Sequence, residues 1–189
     1  MYSFVFFFLL PIVIFAVAWS QCFWTNLING LLIVLSSALA FNYAQLLADM
    51  INKQAPEWSA FTEFGVMWLL FWIIFSCSKF LTMSLSKYPV RFGGKRDPWF
   101  DFIGCVWVMN LMYGWICFTF FASPIGDPGF INMMASRGTP TNMMGMMYGA
   151  SVIGLPSHLG MTGSQPFDPT KWAKSRLERA RDEVNNVSK

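Results

Sequence analysis

Few side chains in this sequence can ionise, so those lying inside apolar stretches are the first whose chemistry needs explaining. Asn42, Gln45 and Asp49 are spaced i, i+3 and i+7, which puts them on one face of a helix. Glu63 opens a second apolar stretch and Asn110 lies within another. An ionised group inside a bilayer costs about 2.5–3.5 kcal/mol on insertion scales, so such residues call for a partner or a role. Asn42, Gln45, Asp49, Glu63 and Asn110 therefore form the candidate polar intramembrane cluster. Two uses suit it: a hydrogen-bonded clamp between helices, or a polar vestibule open to the outer side.

Three other sets of residues invite chemistry more weakly. Met133, Met134, Met143, Met144, Met146, Met147 and Met161 crowd one region, and thioethers are soft ligands for Cu(I). Methionine is equally a pliable apolar filler, which is the reading adopted without a supporting Cys or His cluster. His158 is the only histidine and follows Ser157, yet no nucleophile elbow or second titratable partner accompanies it. Cys22, Cys77, Cys105 and Cys117 lack Cys-x-x-Cys spacing and read as small apolar packers. No catalytic, metal or cofactor site is assigned, and the chain is not expected to be an enzyme.

The elements that position these residues follow from composition. Charged residues make up 12% of the 189 and hydrophobic ones 55%, and none of the first 48 positions is charged. A globular chain normally carries about twice that charge, so this composition specifies an integral membrane protein. Apolar stretches over Tyr2–Trp19, Leu27–Ala48, Phe61–Phe80 and Phe102–Phe121 each approach the length needed to cross a roughly 30 Å hydrocarbon core. Every backbone amide must be paired within lipid, which makes them helices. The predicted fold is thus all-α: a four-helix transmembrane domain over residues 1–121. Gly30, Ser37 and Ala44 recur every seven residues on the second helix, and Gly104 and Gly114 lie on the fourth. Such small residues let membrane helices approach closely. Pro11 is expected to kink the first helix.

Basic residues set the orientation. Lys87, Arg91, Lys95 and Arg96 fall between the third and fourth spans, which makes that loop cytoplasmic and both termini extracytoplasmic. Ala16-Val17-Ala18 resembles a signal-peptidase site, but no basic residue precedes Lys53, so retention of the first span is expected.

From residue 122 the composition turns to Gly, Pro, Met, Ser and Asn, and residues 122–168 are expected to be irregular. Asp168-Pro169 then reads as a capped helix start, opening a basic amphipathic tail over residues 169–189. Lipid headgroups or a partner would meet this tail. Lying beyond a membrane span, its basic residues do not point to nucleic acid.

The layout resembles the colicin V production protein family. The likeness runs from Val90-Arg91-Phe92-Gly93-Gly94-Lys95-Arg96-Asp97 through Asp101-Phe102-Ile103-Gly104 to Tyr113-Gly114-Trp115. Ala38-Leu39-Ala40 and Ser86-Lys87 are similar too, and the match covers roughly residues 9–121. Ser20-Gln21-Cys22-Phe23 stands where the family has a glycine and a basic residue, and Val108 where it has a second small one. The resemblance implies an inner-membrane protein of toxin production or export, or of envelope maintenance. On that basis the chain is expected to be a scaffold or assembly factor, with a membrane-protein partner or a second copy of itself beside it in the bilayer. The alternatives are a pore or transport subunit, or an accessory subunit of a larger membrane complex.

Overall fold

The computed structural model describes residues 2–54, 59–85, 97–123, 125, 127–136, 138–154 and 167–187. Every regular element among them is helical. Helix α1 begins with Tyr2–Phe4, widens into a π-helical stretch Val5–Leu9, and continues as Leu10–Trp19. Then come α2 (Phe23–Gln54), α3 (Ser59–Leu85) and α4 (Asp97–Thr119), the last finishing in a 3₁₀ turn, Phe120–Ala122. Three shorter helices follow: α5 (Pro128–Ala135), α6 (Pro140–Tyr148, prolonged by a π turn Gly149–Ile153) and α7 (Pro169–Val187).

Among the described residues three helices are long and apolar enough to cross a membrane: Phe23–Lys53, Phe61–Ser84 and Pro98–Ala122. Their outward faces are what lipid requires. Leu31, Leu35 and Leu46 on α2, and Leu69, Ile73 and Phe80 on α3, are all exposed. Water does not tolerate so continuous an apolar surface on a monomer, and hydrocarbon does. The chain is a membrane protein. A shorter apolar helix, Val5–Trp19, accompanies these three. Pro11 acts on the register of that helix. It lacks the amide that would close a normal turn, and just before it the Leu10 N–H reaches back five residues to the Val5 carbonyl.

Helix α4 is the centre of the bundle. Of its apolar stretch 61% is buried, against 39% for α2 and 17% for α3. Trp115 and Phe118 are fully enclosed, Trp115 stacking on Phe71 of α3 at 5.3 Å. Aromatic pairs of this kind add about 0.5–1.5 kcal/mol each beyond the area they bury. Gly30 of α2 faces the Trp107 ring and Leu111 of α4, and a methyl group added at Gly104 would stand 3.3 Å from the Phe23 Cα. Ser37 and Ala44 are buried on α2 as well. One polar contact fixes how α2 starts: the Asp101 carboxylate of α4 accepts from the Phe23 N–H at 2.5 Å. Asn26 lies one turn on, donating to the Ala18 carbonyl at 3.0 Å. A side chain from another helix thus supplies the cap that Cys22, at the end of α2 itself, does not.

Residues 122–168, expected to be irregular, contain α5 and α6. The reason is local capping: Asp127 accepts from Phe130 N–H at 3.1 Å, and Pro128 occupies the first helical turn. Thr139 and Pro140 repeat the device, Thr139 accepting from Asn142 N–H. Phe130, Ile131, Met133 and Met134 are buried, so this segment builds on the spans and not away from them.

Candidate functional site

The long-range ion pairs among the described residues gather where the tail meets the spans. Asp168 caps α7, accepting from the Thr170 and Lys171 amides at 2.9 and 3.2 Å. Helical spacing then brings Trp172, Ala173, Arg176 and Leu177 onto one face. Trp172 stacks on Phe118 of α4 at 4.7 Å, and Ala173 is fully buried. One turn later the Arg176 guanidinium meets Glu63 in the first turns of α3. Its Nε and Nη2 donate to Glu63 Oε1 at 2.9 and 2.7 Å, and Arg179 Nη1 lies 3.7 Å from Oε2. The Glu63 and Arg176 side chains are only 12% and 11% exposed, whereas Arg179 is 57% exposed. The Arg176 guanidinium also lies 5.8 Å from the Trp172 ring centre. Glu63 is therefore neutralised by the tail.

The five residues of the expected polar cluster do not come together. Asn42 donates to the Ala38 carbonyl at 2.9 Å and Asn110 to the Val106 carbonyl at 2.8 Å, each within its own helix. Gln45 and Asp49 are exposed on α2. A side-chain amide that bonds back four residues satisfies itself without a neighbouring helix, and a carboxylate gains more from a guanidinium than from an amide. Among the described residues no hydrogen bond joins Asn42, Gln45 or Asp49 to Glu63 or Asn110, and Glu63 pairs instead with Arg176 and Arg179.

A second contact holds α6. The Ser37 and Tyr148 hydroxyls are 2.6 Å apart, both buried, and burial raises the Tyr148 phenol well above its ordinary pKa while the Ser37 bond opposes that shift. Gly114 leaves room for the Tyr148 ring and Gly145 for the backbone of Cys117. Ser37→Ala leaves the phenol without its partner and is expected to cost about 1–3 kcal/mol. Ser37→Ala with Tyr148→Phe should cost less than the two single changes summed, read from thermal unfolding in detergent. Strict additivity would mean the hydroxyls do not touch.

A cavity of about 550 Å³ lies between α5, α6 and α7, with Asn142 and Met146 on one wall and Lys174, Glu178 and Arg181 on the other. The methionine run divides: Met133 and Met134 are buried, Met143 and Met147 exposed. Met161, Ser157, His158 and the basic loop residues Lys87, Arg91, Lys95 and Arg96 lie outside the described residues. The four cysteines are free. The sequence singles out Glu63 and a basic tail but not the pairing of Glu63 with Arg176 and Arg179. The available signal was the i, i+4 spacing of Trp172 and Arg176, which sets a cation beside an aromatic anchor. No protein-family model, curated protein or solved structure matches this chain.

Proposed function

We propose that this chain is a non-enzymatic scaffold or assembly factor of the inner membrane, serving toxin production or export or the upkeep of the envelope, in keeping with its resemblance to the colicin V production proteins. The observation that carries the proposal is α7. Its inner face is fixed to the span ends through Trp172, Ala173 and Arg176, while Lys171, Lys174, Glu178 and Arg181 are exposed. A charged helix face held rigid against a membrane domain suits contact with a partner, since little side-chain and backbone freedom remains to be lost on binding.

In this reading α7 is the amphipathic contact helix and α1 the fourth crossing. Phe7, Phe8, Ile12, Val13 and Val17 of α1 are exposed and apolar, as a lipid-facing surface requires, and local bilayer thinning accommodates a short helix. With the basic loop in the cytoplasm, both termini are extracytoplasmic.

The test is photo-crosslinking from Lys171 and from Arg181 in native membranes, followed by mass spectrometry. The expected product joins α7 to a second membrane protein or a second copy, and it disappears when Lys171→Glu and Arg181→Glu are combined. A monomer in nanodiscs with lipid as its sole crosslinked neighbour would remove the proposal.

A further inference from the structure

We propose that the cavity between the start of α2 and the last turns of α3 binds the phosphate group of an anionic amphiphile. It has a volume of about 380 Å³. Among the described residues Lys79 is the single charged one on its wall, and no carboxylate lines it. The ammonium lies 5.7 Å from the Phe75 ring centre, a contact with the face of the ring that leaves its N–H bonds available. A cation set into a span without a counter-charge is costly, and an anionic ligand removes that cost.

A second observation points the same way: the Asn29 and Gln21 side chains bring amide groups to the same wall, beside the Trp24 ring. Thr82 adds no donor, because its hydroxyl already donates to the Ser78 carbonyl at 2.7 Å. The cavity thus offers an ammonium and amides, a set that matches a phosphate ester.

The rest of the lining decides for an amphiphile. Ile28 and Leu32 continue the wall one and two turns further into the span from Trp24, and Met83 closes the α3 side. Six residues separate Lys79 from the end of α3, so its Cα is about 9 Å inside that end at 1.5 Å per residue. A lysine stem reaches outward over such a distance, which brings the ammonium to headgroup level while an acyl chain follows Leu32. Basic pockets between membrane helices bind anionic headgroups on this principle.

The full chain, delipidated in a neutral detergent, is titrated with phosphatidylglycerol, with diacylglycerol of the same acyl chains, and with inorganic phosphate, and adducts are counted by native mass spectrometry. Phosphatidylglycerol is expected to be retained, with diacylglycerol at least tenfold weaker, because only the former supplies the charged acceptor. Lys79→Met should weaken phosphatidylglycerol about tenfold or more, Lys79→Arg should restore most of it, and Asn29→Ala should weaken it several-fold. Inorganic phosphate binding as tightly, and with the same Lys79 dependence, would support the site with the free anion as its source. If Lys79→Met does not fold, Asn29→Ala and Lys79→Arg carry the test. Retention of phosphatidylglycerol that none of these changes alters, or equal retention of diacylglycerol, overturns the proposal.

Discussion

Glu63→Ala is expected to release α7 from the bundle. The substitution leaves Arg176 nearly buried and without a counter-charge, since its side chain is 11% exposed and its hydrogen bonds to Glu63 are 2.7 and 2.9 Å long. Breaking one side of a buried pair costs about 3–5 kcal/mol. The exposed Arg179 adds less than about 1 kcal/mol, because water screens it. A change of about 3 kcal/mol raises the population of the undocked helix more than a hundredfold. Trypsin reads this directly, since Lys171, Lys174, Arg176 and Arg179 all become cleavable once α7 lifts away. Glu63→Ala combined with Arg176→Met should be cut more slowly than Glu63→Ala alone, because no orphaned charge remains. Cleavage of Glu63→Ala at the wild-type rate would show that the pair does not hold the tail.

The second large effect is expected at Gly145. A methyl group there would stand 3.0 and 3.1 Å from the carbonyl carbon and oxygen of Cys117, and 2.8 Å from the Phe121 ring. Backbone atoms of a central helix cannot yield, so Gly145→Ala must push α6 off α4, at about 1–3 kcal/mol. Gly30 gives an instructive contrast. Its added methyl would come still closer, 2.1 Å from Trp107 Nε1, but Trp107 is 44% exposed and its ring can swing toward lipid. Gly30→Ala should therefore cost less than Gly145→Ala despite the larger overlap. Gly65 has nothing within 4 Å, and there alanine should gain up to about 1 kcal/mol of helix propensity. Thermal unfolding in one detergent should rank the variants Gly65→Ala, Gly30→Ala, Gly145→Ala from most to least stable. Equal midpoints for Gly145→Ala and Gly65→Ala would mean that α6 does not pack on α4.

Hydropathy made the three long helices legible, because a run such as Leu27–Ala48 has no other stable form in lipid. It says less at α1, whose apolar stretch Val5–Trp19 is shorter than the other three. The capped start at Asp168-Pro169 was readable, and α7 begins there. Asp127-Pro128 and Thr139-Pro140 carry the same local signal, but the Gly, Pro and Met content around them masked it. Methionine has good helix propensity, and Met133 and Met134 take core positions where leucine would be easier to recognise. The candidate site was least legible. Glu63 and Arg176 are 113 positions apart, and periodicity shows which face a residue occupies but not what will face it. Asn42 and Asn110 look like inter-helix ligands in sequence and prove self-sufficient, which only geometry reveals.

The Asp101 contact has a bearing on biogenesis. Ribosomes deliver α2 before α4, so the Phe23 amide leaves the exit tunnel 78 residues ahead of the carboxylate that will accept from it. Until α4 arrives, the leading end of α2 must keep its amides hydrated, which holds that end at the aqueous boundary. Docking of α4 then displaces this water and locks the pair. Late assembly of early helices is thus written into a single carboxylate.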